Sequence, residues 1–379
     1  MKTRQMAIST LVGILLVVTL LVAACSAPAQ APAAPTSKEA PASQAAPASK
    51  EAAASKPAAA PAKIIELKLA GLEPPTSSTA KSQQDWIDKI EKETGGRVKF
   101  TAYWGGTLVK APEGFTQLTS GVYDVGGALP QFAPASRFPV MNAVMYFFHG
   151  APDYATNVKI YKEIFAKYPA VSKEFEGIKP LGVYPGSVNH FYSSKKPVRR
   201  LTDLKGMMVR RGPMDGTIVT ALGAEGTNPP SAEIVQQIQK GILDGAFGQY
   251  THLKDFKIAD VVKYLTVLDW TGGPFVDLSM NINTWNSLPP DIQKVFEANA
   301  DFLDGAFVKN RLGDDENGKN YAKQQGVEFI QLPAEDMKTL NSMAGESAAK
   351  MAADLEAKGI PGNKIHDDVQ SLVVKYYKK

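Results

Sequence analysis

The sequence predicts an α/β protein of two lobes, with a long helix running along both. Three observations lead there. Short runs with apolar residues at period two alternate with segments of helical apolar spacing, and this grammar occurs in both halves. The part rich in large apolar residues, from about Ile64 to Lys379, is too long for one typical core. A proline-led helix start at residues 288–291 opens a helical pattern that can reach about Gln325, further than one lobe.

In chain order, a leader comes first. Lys2 and Arg4 precede an apolar stretch over residues 11–23. That stretch falls short of the roughly 20 apolar residues a spanning helix needs. Basic start, short apolar centre and small residues at the cut describe a secretory signal over 1–24. Val22-Ala-Ala-Cys25 resembles a bacterial lipobox, so Cys25 is the expected lipid attachment site, its thiolate taking up a diacylglycerol. An ordinary signal peptide with an incidental cysteine and an uncleaved anchor helix are the competing readings. Cys25 is the only cysteine, so the mature chain can form no internal disulfide and no thiolate metal site. Residues 25–62 are almost wholly Ala, Pro, Ser, Lys, Glu, Gln and Thr after the cysteine. They cannot bury enough apolar surface to offset their ordering entropy, so a disordered tether is expected.

The folded part opens with a strand at 64–70. A helix over 78–94 carries Trp86, Ile87 and Ile90 on one side and stops at Gly95-Gly96. A strand at 97–103, a helix at 112–120 ended by Gly121, and a strand at 125–129 complete an open α/β lobe. The second half gives strands at 179–184 and 207–210 and helices at 214–222 and 232–240. Extended segments follow at 245–248 and 275–281. The long helix then shows Ile292, Val295, Phe296, Phe302 and Leu303 on one stripe, with Asn299 as a polar interruption. The expected lobes are 64–188 plus 274–313, and 189–273 plus 314–379.

Composition excludes several classes. The net charge of +4 is small and its signs are interspersed, so nothing suggests a nucleic-acid partner. P-loop, GxGxxG, GxSxG and HExxH patterns are missing from the sequence, and no cofactor is expected. His149, His190, His252 and His366 lack metal-ligand spacing. No nucleophile–base pair stands out, so an enzyme is not expected. Two lobes behind an export signal and a tether suggest instead a capture protein, whose lobes close on a ligand.

Several stretches then carry a family resemblance. They are 92–100 (KETGGRVKF), 118–124 (LTSGVYD), 193–198 (SSKKPV) with 201–210 (LTDLKGMMVR), 238–245 (IQKGILDG) and 285–293 (WNSLPPDIQ). In this order and spacing the chain resembles the DctP-like substrate-binding proteins of TRAP transporters, over nearly all of 64–379. The resemblance implies a two-lobed, type II-like periplasmic-binding-protein fold. It also implies a small organic carboxylate as ligand, membrane permease subunits as partners, and a monomer. With the leader, it implies an exported protein held by lipid at the outer face of the cytoplasmic membrane. A solute sensor feeding a signalling receptor, or an ABC-type binding protein, would share much of this pattern.

The resemblance also implies site residues. The arginine of the Lys-Gly-x-x-x-Arg segment, here Arg210, binds the ligand carboxylate in that family. A planar guanidinium offers a carboxylate two parallel N–H donors. Where many members carry a second arginine, this chain has His190; where many place an asparagine, it has Gly248, and Gln249 or Tyr250 could stand in. Leu72 and Leu129 occupy positions that are polar in sialic-acid-binding relatives. Ser231 stands where relatives often have an aromatic, and Glu233 reads as structural. Trp104, on a glycine-rich rim, reads equally as pocket wall or core. Together these residues point to a carboxylate with a compact or apolar body.

Overall fold

The computed structural model describes residues 63–130, 132–133, 136–151, 153–212, 216–229 and 231–377. The leader, Cys25 and the tether lie outside the described residues. In chain order the elements begin with β1 (Ile65–Ala70), α1 (Ser78–Glu93), β2 (Val98–Tyr103), α2 (Gly114–Thr119) and β3 (Val125–Gly127). Then come α3 (Pro139–Tyr146), α4 (Tyr154–Lys167), α5 (Pro169–Ser172), β4 (Ile178–Tyr184) and β5 (Ser187–Ser193). The second half holds β6 (Met208–Arg210), α6 (Gly216–Ala221), β7 (Glu225–Thr227), α7 (Ile234–Gln239), β8 (Gly245–Gln249) and α8 (Tyr250–Asp255). It continues with β9 (Tyr264–Gly272), β10 (Phe275–Asn281), α9 (Ile282–Ser287), α10 (Pro290–Ala298) and α11 (Ala300–Gln324). β11 (Glu328–Gln331), α12 (Ala334–Glu356) and α13 (Gly362–Tyr377) close the chain.

Two sheets form, in the orders β2-β1-β3-β10-β4 and β11-β9-β5-β8-β6-β7. The period-two pattern explains how each buries both faces. In the second sheet Phe191, Val209 and Phe247 enter one core, while Tyr192, Ala246 and Leu265 enter the core on the opposite face. α1 starts where Ser77 Oγ accepts the Ala80 N–H at 3.1 Å. It buries Trp86, Ile87 and Ile90 and ends before Gly95, whose φ of 62° an L side chain would resist.

The chain leaves the first sheet after β4 through Pro185-Gly186 and returns after β9 through Gly273-Pro274. These crossings touch backbone to backbone: a Cβ on Gly186 would lie 2.0 Å from the Gly272 carbonyl oxygen. α11 packs on α1 and β4 of one lobe and on α8 of the other, so it spans both. Its contact with α8 depends on Gly318, where a Cβ would fall 2.0 Å from Tyr250 O.

Four expectations are corrected. The single long helix is two, because Asn299 turns its side chain onto Val295 O (2.8 Å) and Glu93 Oε2 (2.6 Å), and its backbone leaves helical geometry. Phe302, expected on the apolar stripe, is 40% exposed beneath Lys89. β3 stops at Gly127 because Leu129 adopts a left-handed φ of 51°. The C-terminal boundary also moves. Ala348, Ala352, Leu355, Ile365, Val369 and Val373 join the first lobe's core beside α3 and α4, whereas 314–379 was expected in the other lobe.

Candidate functional site

The second sheet builds the site by register. Arg210 pairs with Ala246, and Ala246 with Tyr192; one step along, Gly248 pairs with His190. Partners in register share a face, so Arg210, Tyr192 and His190 project to the same side of the sheet. Arg210 is half-buried. Its Nη1 donates to Phe247 O at 2.9 Å, its Nη2 to Ser231 Oγ at 3.2 Å, and its Nε to Pro229 O at 3.4 Å. Among the described residues it makes no ion pair. Burial lowers its pKa, Tyr192 opposing and Arg211 reinforcing the shift; a guanidinium stays charged regardless.

Gly248 explains what replaced the family's asparagine. A Cβ there would lie 1.9 Å from Tyr192 Oη and 3.0 Å from His252 Nδ1. The tyrosine hydroxyl and the imidazole edge thus occupy that room. Both atoms are buried and neither has a hydrogen-bond partner among the described residues. Burial, with help from Arg210 and Arg311, pushes the His252 pKa down to about 3, so the ring is neutral.

His190 is fully buried. Its Nδ1 accepts the Leu268 N–H at 3.4 Å and its ring lies 3.9 Å from that of Tyr250, centroid to centroid. Burial first, then Lys319 and Arg311, hold its pKa near about 3. It is therefore a neutral imidazole. With Nδ1 accepting, Nε2 carries the proton, and Nε2 has no partner among the described residues.

The other expected residues divide. Ser231 meets Arg210 directly. Gln249 does not: its Oε1 accepts from Arg311 Nη2 at 2.5 Å. Leu129 is wedged into the first lobe's core, 2.8 Å from the point a Cβ on Gly114 would occupy, and Leu72 packs on the same core. Trp104 is half-buried, its ring edge laid over Gly71, where a Cβ would sit 2.3 Å from Cε3.

Sequence reasoning missed Arg311. On α11 and only 3% exposed, it donates to Tyr184 Oη at 3.2 Å as well as to Gln249, and its Nε lies 3.6 Å from Asp315 Oδ1. Asp315 accepts from Tyr154 Oη at 2.6 Å, and that oxygen accepts the Val188 N–H at 3.2 Å. This network joins β4, β5, β8, α4 and α11 around the crossings. Burial works against the Arg311 charge, but Tyr184, Tyr154 and Asp315 outweigh it and raise its pKa. The only sequence signal was the Arg311–Asp315 spacing on a helix, which surface pairs share. Among the described residues no group of three or more His, Cys, Asp or Glu is arranged to hold a metal, and no helix is long and apolar enough to cross a membrane.

Comparison with known proteins places this geometry. Residues 69–354 match the family described as bacterial extracellular solute-binding protein, family 7. A monocarboxylate 2-oxoacid-binding periplasmic protein from Nostoc is 25% identical over 55% of this chain; the chain spans 58% of that relative's length. A TRAP periplasmic solute-binding protein from Desulfovibrio salexigens, solved as an open complex, superposes with a TM-score of 0.72 at 28% identity, over 83% of this chain and 97% of that one. A TRAP solute-binding protein from Rhodoferax ferrireducens, solved with copurified benzoate, superposes with a TM-score of 0.72 at 23% identity, over 83% and 99%.

Proposed function

The chain belongs to family 7 of the bacterial extracellular solute-binding proteins, and we propose that it is the receptor of a TRAP transporter. It captures a small organic carboxylate between its lobes and delivers it to membrane permease subunits. The observation that carries this reading is Arg210: a guanidinium held by three neutral acceptors, with no carboxylate opposite it among the described residues. A desolvated cation without a counter-ion is costly. A ligand carboxylate would supply the charge. The Tyr192 hydroxyl and the neutral His252, unpartnered beside Arg210, would supply further hydrogen bonds.

The ligand class follows from the same residues. Arg210 has no counter-ion among the described residues, and Trp104 offers an aromatic surface. Both support a monocarboxylate with an apolar or aromatic body. The Nostoc relative is described as binding monocarboxylate 2-oxoacids, and the Rhodoferax protein was solved with benzoate, which agrees with that class. Binding closes the lobes only through a higher affinity for the closed state. Gly186 and α11 are the elements across which closure would act. Lipidation at Cys25 and the tether over 25–62 would hold the receptor near its permease and raise its effective concentration there.

Titration calorimetry tests the assignment with a panel of benzoate, 2-oxoacids, C4-dicarboxylates and sialic acid. At least one monocarboxylate should bind. Arg210→Ala should weaken it by about 2 kcal/mol or more, at least roughly thirtyfold, the usual cost of breaking a desolvated charge pair. Unchanged affinity in that variant would sink the role of Arg210. Binding by sialic acid or C4-dicarboxylates alone would sink the ligand class.

A further inference from the structure

Arg311 and Asp315, one turn apart on α11, tie the two lobes together at the crossing, and the carboxylate reading gives them no part. Arg311 Nη1 donates to Tyr184 Oη at 3.2 Å, on the last residue of β4 in the first lobe. Its Nη2 donates to Gln249 Oε1 at 2.5 Å, on the last residue of β8 in the second. Asp315 makes the other tie. Its Oδ2 accepts from Tyr154 Oη at 2.6 Å, at the start of α4 in the first lobe, and that hydroxyl accepts the Val188 N–H at 3.2 Å, in the second. Tyr184 and Val188 flank Pro185-Gly186, the segment about which the lobes would turn. Each tie therefore bridges the crossing from one lobe to the other.

One bond of this network is not made. Arg311 Nε and Asp315 Oδ1 are both buried, neither has a hydrogen-bond partner among the described residues, and they face each other at 3.6 Å. A charged N–H···O bond runs to about 2.7–2.9 Å, so the pair stands about 0.7–0.9 Å too far apart. Buried polar groups left unpaired in a native fold call for a reason. Here the guanidinium is drawn between Tyr184 and Gln249, so its position follows the spacing of the lobes. Tyr184 is itself fixed in the first lobe, its ring 5.2 Å from that of Phe275 and 5.7 Å from that of Phe307. A turn of the second lobe about Gly186 moves Gln249 against Tyr184 and carries the guanidinium with it. The network thus has two arrangements: this one, with Nε and Oδ1 apart, and one with the lobes shifted and that bond made.

β8 joins the network to the ligand site through bonds. Phe247 O accepts from Arg210, and two residues on Gln249 Oε1 accepts from Arg311, with Gly248 under Tyr192 Oη between them. We propose that Arg311 and Asp315 are positioning residues, which set the lobe spacing of the empty receptor and through it the affinity for its ligand without touching that ligand. The effect on affinity rests on the receptor reading; the effect on lobe spacing does not. A ligand that binds one arrangement of the lobes has its apparent Kd raised by the inverse of that arrangement's population. A change in the network therefore scales the Kd of every ligand by one factor.

Double electron–electron resonance on the empty mature chain reads the spacing, with spin labels at Glu113→Cys and Lys240→Cys in a Cys25→Ser background. Both positions are exposed, one on each lobe. Tyr154→Phe and Gln249→Met each release one tie. Circular dichroism reports folding, and Gln249→Met, which keeps the bulk, is the variant expected to fold even if the other does not. Each folded variant should shift the interlobe distance distribution. Calorimetry should show the Kd of every carboxylate that binds wild type changed by about threefold to tenfold, the worth of one hydrogen bond, by a common factor. Spacing and Kd should move together, wider lobes with weaker binding or nearer lobes with tighter, because the closed state holds the ligand. Gln249→Glu keeps an acceptor for Arg311 and should not share the shift of Gln249→Met. Unchanged distance distributions overturn the inference, as does a Gln249→Glu variant that shifts like Gln249→Met. So does an altered Kd at unchanged spacing, or factors for benzoate and pyruvate that differ by more than about threefold. If no carboxylate binds wild type, the receptor reading falls and the distance distributions alone decide this one.

Discussion

Tyr192→Phe should separate stability from binding. The Tyr192 hydroxyl is buried, has no partner among the described residues, and fills the space over Gly248. Removing it breaks no hydrogen bond in the ligand-free protein. It relieves an unpaired polar atom whose burial costs about 1–3 kcal/mol, against the small gap that the missing oxygen leaves. Stability of the empty receptor should stay level or rise by about 1 kcal/mol, a shift of about 1–2 °C in Tm for a protein of this size. Ligand affinity should move the other way. If the hydroxyl donates to a carboxylate held by Arg210, its loss costs about 1.5–3 kcal/mol, or roughly tenfold to a hundredfold in Kd. Thermal unfolding of the empty protein and calorimetry with a bound monocarboxylate measure the two terms on one sample. A variant destabilised by more than about 1 kcal/mol when empty would show that the hydroxyl is bonded in the folded protein. A variant with normal affinity would remove Tyr192 from the site. Either result refutes the reasoning.

Two further outcomes follow from the same geometry. Gly186→Ala places a Cβ at a φ of 83° and 2.0 Å from a backbone oxygen that cannot move aside; urea unfolding should show a loss of about 3 kcal/mol, and an unchanged midpoint would mean the crossings are looser than they stand here. His190 is held at about 3 in the folded chain against an ordinary 6.5. Its neutral form contributes stability above pH 6.5, and that contribution is lost as pH falls toward 3, because the unfolded chain protonates first. Asp277, raised to about 6, and Glu174, raised to about 7, act in the opposite sense: each favours the folded state below its unfolded pKa and loses that advantage as pH rises through the folded value. The stability difference between wild type and His190→Gln should therefore shift by about 2 kcal/mol between pH 6.5 and 5, against wild type, and a pH-independent difference would contradict a buried neutral ring.

The sequence disclosed most where local pattern and burial agree. β1, α1 and β2 are legible because Trp86, Ile87 and Ile90 fall on one stripe closed by Gly95 and Gly96. Arg210 and Ser231 were found through the family segment that carries them, and the structure brings them into contact. What escaped depends on contacts distant in sequence. β5 is buried along its whole length and shows no alternation. α12 and α13 bury mostly alanines and single aliphatics, too faint a stripe to assign. Arg311 lies on a helix whose neighbours are largely exposed, and only the crossing of three other elements buries it. Gln249 was expected to stand in for the missing asparagine, but Arg311 holds it. Tyr192, unremarkable as a strand tyrosine, does occupy that space.

On the proposed reading, the two arginines play different parts toward a ligand carboxylate. Arg311 is buried but compensated: Asp315 balances its charge, and Tyr184 and Gln249 accept from its two Nη groups, while Nε faces Asp315 without a hydrogen bond among the described residues. Such a pair contributes little net attraction for a further anion and is suited to fixing the register of α11 against both lobes. Arg210 has acceptors but no counter-charge among the described residues. The family's second arginine position is filled by His190, which burial keeps neutral. A second carboxylate on the ligand would therefore meet a neutral imidazole where an arginine could have paired with it, which on the proposed reading favours a monocarboxylate.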